Sequence, residues 1–137
     1  MPQDLRTLRI FEDNLLRYPP GTKRRAQLSR AAGDALALAN LVRGAKTEKR
    51  RVLVVCADAV DAVRLTHEVR WLVGSEADVR LLPDWETLPY DMLSPQEDLV
   101  SERLETLWRL THPKAGCDML VTSAVTAAQR LAPVSWV

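Results

Sequence analysis

The stretch Leu28-Ser29-Arg30-Ala31-Ala32-Gly33-Asp34-Ala35-Leu36-Ala37 occupies the place where an α/β protein would bind phosphate, the loop that opens the first crossover helix. Such a loop holds an anion with backbone N–H groups and the positive end of the helix dipole. Set against the pattern G-x-x-x-x-G-K-[ST], the glycine positions hold Arg30 and Ala35, the lysine position holds Leu36 and the Mg²⁺-ligand position holds Ala37. Gly33, an intervening position, keeps a glycine. Leu36 cannot neutralise a β- or γ-phosphate, Ala37 cannot ligate Mg²⁺, and Asp34 puts a carboxylate where the anion would sit. The expectation is a degenerate nucleotide loop that hydrolyses no ATP and takes no cofactor.

A second unusual stretch is Asp84-Trp85-Glu86-Thr87-Leu88-Pro89-Tyr90-Asp91, which follows a strand end, where α/β proteins place functional loops. It concentrates aromatics and carboxylates. Trp85 and Tyr90 either pack this loop onto the core with their polar tips bonded, or present with Glu86, Pro89 and Asp91 a surface that docks another domain. His67-Glu68 opens an H-E-x-x-H zinc motif, but Trp71 stands where the second histidine belongs, so no metal is expected. With only His67 and His112 in the chain, no Ser/His/Asp or Cys/His arrangement can be assembled. Cys56 and Cys117 match no metal-ligand spacing and lie in or beside apolar runs, as buried free thiols do.

These side chains need elements to hold them. Leu5, Leu8, Leu15 and Leu16 give Asp4 to Arg17 a helical pattern that Tyr18-Pro19-Pro20-Gly21 ends. Ala26-Gln27-Leu28 is a weak strand. Ala31 to Val42 is rich in Ala and Leu and predicts a helix with Gly44 as its C-cap. Val52 to Cys56 predicts a strand buried on both faces. Asp58 can cap a helix carrying Ala62, Leu65, Val69 and Leu72 inward, up to Gly74. Val79 to Leu82 is a second strand, closed by Pro83. Ser94-Pro95-Gln96-Glu97 is a capping box for a helix with Leu104, Leu107 and Leu110 as its buried face, ending before Pro113. Asp118 to Thr122 is a third strand, and Ser123 caps a helix running to about Leu131. Alternating strands and helices predict a three-layer α/β fold around a mostly parallel sheet. Three strands make a thin sheet, so either the Ala26 segment adds a fourth or further chain completes it.

Composition sets the outer limits. The 137 residues are 47% hydrophobic and 27% charged, in the range of one globular domain, and the formal charge of +1 draws the chain to neither nucleic acid nor an anionic membrane. Lys23-Arg24-Arg25 and Lys49-Arg50-Arg51 read as solvated turns, so DNA contact by this chain alone would be weak and salt-sensitive. No stretch reaches the roughly 20 apolar residues of a membrane span, and no signal-peptide core is present, so the expected location is cytoplasmic.

The block from Leu81 to Asp91, followed by Ser94-Pro95-Gln96-Glu97-Asp98 and Ser101-Glu102-Arg103-Leu104, resembles the W-E-T-L-P-Y-D, S-P-x-x-D, S-x-R-L block of bacterial transcription-repair coupling factors. Val52 to Asp58 resembles that family's V-V-x-P-D strand end, and Met119 to Leu131 its strand, serine and Q-R-L helix. The resemblance covers residues 26 to 137. Met92-Leu93, where the family usually has an aromatic, and Asp34 in the old phosphate loop depart from it.

The resemblance implies a P-loop or helicase-like module similar to subdomain 1a of the repair helicase UvrB, with its nucleotide site degenerate. It divides the chain into an N-terminal helix and turn (1–25), an α/β subdomain (26–132) and the start of a connection to a next domain (133–137), the last five residues reading as a cut inside a longer protein. It implies a full-length ATP-dependent DNA translocase that displaces stalled RNA polymerase and recruits UvrA, with ATP and Mg²⁺ held in a downstream motor. For this piece the implied partners are other domains of the same protein, UvrA by way of the following domain, and polymerase and DNA by way of downstream domains. The expected role is therefore a non-catalytic scaffold in transcription-coupled nucleotide-excision repair. The rival, a nucleotide-binding helicase-like ATPase contacting DNA directly, would need a lysine and a serine or threonine at positions 36 and 37.

Overall fold

The apolar run Val52–Cys56 forms strand β1, preceded by helix α1 (Gly33–Thr47) and followed by helix α2 (Ala59–Val73) and strand β2 (Val79–Leu82). Helix α3 (Glu97–Thr111), strand β3 (Met119–Ser123) and the single turn α4 (Ala124–Ala127) complete the order. The computed structural model describes residues 21, 23, 33–85, 97–112 and 114–131. The expected first helix, the Ala26 strand, Ser94 to Gln96 of the capping box and the connection at 133–137 lie outside the described residues.

The three strands are parallel and ordered β1-β3-β2, with Val52 and Val79 both level with Met119, and Val54 and Leu81 both level with Val121. Because side chains alternate across a strand, these rows share one face. Val42 of α1 and Leu65, Val69 and Val73 of α2 close over them to make the core. Burying a Val or Met there contributes about 1.5–3 kcal/mol each relative to exposure. Alanines at 35, 39 and 62 keep the two helices close. The arrangement is a small α/β unit consistent with a three-layer fold.

Four expectations are corrected. β1 is not buried on both faces: Leu53 and Val55 are exposed, because β1 is a margin of the described sheet and α3 packs against β2 at the opposite margin. α1 does not stop at Gly44 but continues to Thr47, since Ala45 is buried and holds the last turn down. Its end is a Schellman turn in which Arg50 N–H donates to the Ala45 carbonyl (2.8 Å) and Lys49 N–H to that of Lys46 (3.0 Å), with Lys49 in the left-handed region at φ 55°. The buried face of α3 is not Leu104, Leu107 and Leu110. Arg103 and Thr106 are its buried residues, Leu107 and Leu110 are half-buried, and Leu104 is exposed. α4 ends at Ala127, well short of Leu131, and the side chain of Gln129 turns to Asp84.

The outer edge of β2 explains why polar residues line α3. Met119 N–H donates to the Asp78 carbonyl (3.1 Å), so alternate carbonyls face β3 and those of Val79, Leu81 and Pro83 face away. Each of the three accepts a side-chain donor: Arg70 Nε on Val79 (2.8 Å), Thr106 Oγ1 on Leu81 (3.2 Å) and Arg103 Nη1 on Pro83. An edge strand is thereby closed to other strands. α2 begins and ends as expected, with Asp58 accepting from Asp61 N–H (2.8 Å) and Gly74 at φ 55° as C-cap.

Candidate functional site

At the start of α1 the first helical N–H groups have no partner within the helix. Asp34 turns its own carboxylate back onto them. Oδ1 accepts from Ala35 N–H at 2.7 Å, while Oδ2 accepts from Arg64 Nη2 of α2 at 2.8 Å. Arg64 also donates to Asp61 Oδ1 (3.1 Å) and Glu68 Oε2 (3.0 Å), so one guanidinium gathers three carboxylates. Burial alone would push the Asp34 carboxyl up, but the bonds from Arg64 and Ala35, with the Arg64 charge, outweigh it and hold it below the usual carboxylate range. Its bonds to Asp34, Asp61 and Glu68 push Arg64 up in turn, so it stays a cation.

Ala35 and Ala37 are buried in the contact with the rest of the fold, and Leu36 is half-buried. Arg30 lies outside the described residues. Arg64, thirty positions downstream, is the partner that sequence inspection did not find. Its place one helical turn from both Asp61 and Glu68 marked it as an ion-pair residue, but not its reach across to α1. Cys56, at the carboxyl end of β1, is a buried free thiol. Burial pushes it up, and the carboxylate of Asp61 adds to the rise, so it is a poor nucleophile.

The second cluster joins three segments. The Arg103 guanidinium stacks over the Trp85 ring at 4.3 Å from its centroid, and Nη2 lies 3.4 Å from Gln129 Oε1. Gln129 Nε2 donates to Asp84 Oδ1 at 2.7 Å, and Trp85 N–H donates to the same oxygen at 2.8 Å. Arg103 is only 2% exposed, and its Nε has no hydrogen-bond partner among the described residues. Burial pulls its affinity for the proton down, opposed by the charge of Asp84. Trp85 is half-buried, with its ring beside a buried cation. Glu86, Pro89, Tyr90 and Asp91 lie outside the described residues. Sequence inspection had not paired Arg103 and Gln129 with Trp85; the available signal was a lone arginine on the same helical line as Thr106 and Leu110.

Next to this cluster a cavity of about 180 Å³ opens at the carboxyl ends of the strands, walled by Ala62 and Val63 of α2, Leu82 at the end of β2, Pro83 and Asp84 after it, and Thr126 of α4. This is where open α/β sheets bind ligands, but the wall is apolar and the Ser123 and Thr126 hydroxyls are bonded to each other at 2.9 Å. Among the described residues no group of three or more His, Cys, Asp or Glu could hold a metal, and no helix is long and apolar enough to cross a membrane.

Several curated proteins are similar to the chain. It is 41% identical over 100 residues to the transcription-repair-coupling factor of Haemophilus influenzae, a match covering 73% of the chain and 8% of that protein. The factor of Escherichia coli is 38% identical over 85 residues, 62% of the chain and 7% of the protein. That of Mycobacterium bovis is 39% identical over 98 residues, 68% and 8%. The chain therefore spans less than a tenth of the length of these relatives. No protein-family model matches it.

Proposed function

The chain belongs to the family of bacterial transcription-repair-coupling factors, and from that premise we propose that it is a non-catalytic scaffold domain of such a factor. The observation that carries this reading is the Asp34 carboxylate, bonded to Ala35 N–H and Arg64 at the very place where a nucleotide phosphate would need those positive groups. A second anion there would face a carboxylate at hydrogen-bond range, with half-buried Leu36 and buried Ala37 where the lysine and Mg²⁺ ligand of a working loop belong. The polypeptide fold of this domain is that of a P-loop or UvrB-like subdomain spanning residues 26–132, kept for its architecture after the nucleotide function was lost.

In the full-length factor, translocation on DNA, displacement of stalled RNA polymerase and binding of ATP and Mg²⁺ belong to downstream domains, and UvrA is recruited through the domain that follows. The present domain supports that module by packing against it. Titration of the chain with a fluorescent ATP analogue and Mg²⁺, beside a functional P-loop protein, tests this. No binding is expected up to millimolar ligand. Saturable, Mg²⁺-dependent binding would sink the scaffold reading and restore a nucleotide-dependent one.

A further inference from the structure

Helix α2 is apolar on two opposite sides. Its inward line, Ala62, Leu65, Val69 and Val73, is buried in the core. At about 100° per residue, Val60, Val63, His67 and Trp71 fall on a second line turned away from that core, with spacings of three, four and four. Val60 is 80% exposed, Val63 42% and Trp71 62%, and His67 is exposed with them. A helix with one buried face ordinarily carries polar residues on the other. Scattered exposed valines mean little, but three apolar side chains in register, one of them a tryptophan, form the kind of line by which one helix seats against another.

One border of this line is acidic. Asp61 and Glu68 flank it, and the single cation between them, Arg64, is shared with Asp34, so three carboxylates face one guanidinium. The exposed cap Asp58 adds a fourth carboxylate at the helix start. Two copies of α2 laid antiparallel would set this border against itself, which argues against a second copy as the occupant. A helix with lysine or arginine beside its apolar line is complementary. The relatives carry more than nine tenths of their length outside the matched stretch, so ample chain of the same polypeptide is available to supply it.

We infer that the outer line of α2, Val60, Val63, His67 and Trp71, is the seam on which an amphipathic helix with a basic border, from another part of the same repair-factor polypeptide, docks. This rests on the scaffold reading and gives it a surface. Trp71 is the anchor, and the valines extend the contact along the helix.

The test uses this chain and, as the probe, one of the matched relatives expressed without its matched stretch. Calorimetry reads binding, and hydrogen–deuterium exchange locates it. The expected result is a complex that slows exchange along residues 60–71 and weakens as salt is raised. Its affinity falls about tenfold or more in a Val63→Ser, Trp71→Ser double variant whose melting is unchanged. Trp108→Ser, an exposed tryptophan on α3, should bind as the parent does. A complex that the double variant leaves intact, or whose protection lies elsewhere, overturns the seam while leaving the scaffold reading standing. Self-association lost in the double variant, with no capture of the probe, assigns the seam to a second copy and overturns the proposal. No complex of any kind overturns both readings.

Discussion

Arg103 lies over Trp85, its guanidinium 4.3 Å from the ring centroid, and donates from the same group to the Pro83 carbonyl. The pair ties the first residues after β2 to the middle of α3. It also explains why α3 turns Arg103 and Thr106 inward: both find carbonyls on the open edge of β2, which a leucine could not satisfy.

Trp85→Ala should lower stability by about 2–3 kcal/mol, and Arg103→Lys by about 2 kcal/mol, because a lysine keeps the charge but neither the planar stack nor the fork. The two changes are coupled. A double-mutant cycle in urea should return an interaction of about 1 kcal/mol. Additive effects would mean that the ring and the guanidinium contribute independently.

Asp34 and Arg64 are half-exposed, so their pair is worth about 0.5–1 kcal/mol rather than what a buried pair would give. The sign with pH follows from the direction of the shift. Asp34 is held below its ordinary value of 3.8 in the folded state, so its contribution is complete above that value and is lost as pH falls through the lower folded one. Asp34→Asn should therefore melt below the parent at neutral pH, and the gap should close in acid below about pH 4. A gap that persists unchanged at pH 2 would show that the charge is not what holds α1 to α2.

Lys49 sits at φ 55° with its side chain exposed. Glycine adopts that conformation without strain, and Lys49→Gly should raise stability by about 0.5–1 kcal/mol. Thermal unfolding reads this directly, and a lower melting point would mean that the lysine side chain contributes more than its backbone costs.

Leu36→Lys combined with Ala37→Thr should still give no ATPase. The glycine positions still hold Arg30 and Ala35, and the threonine would enter a position only 4% exposed, costing about 1–3 kcal/mol in packing. Phosphate release above background by this double variant would show that the loop needs only those two side chains.

Much of the fold is legible from residues alone. Val79 to Leu82 before Pro83 and the apolar run at Met119 announce two of the strands, and Asp58 with Gly74 brackets α2, because caps and continuous apolar runs are local signals. That position 36 holds no lysine was equally plain, since it is a matter of identity. The inward turn of Arg103 was not. Counting leucines placed the buried face of α3 on Leu104, because hydrophobicity registers apolar area and not the carbonyls waiting on a neighbouring edge.

By itself, then, the sequence determined where the three described strands and α2 lie, that positions 36 and 37 hold Leu and Ala, and which family the chain resembles. Only the tertiary structure decided that Asp34 closes on Arg64 thirty residues away, that Asp84, Trp85, Arg103 and Gln129 meet, and that α2 keeps an apolar line uncovered. Local propensity is written in neighbouring residues. A side-chain hydrogen bond between distant segments is fixed only when strand order and helix packing bring donor to acceptor within about 3 Å.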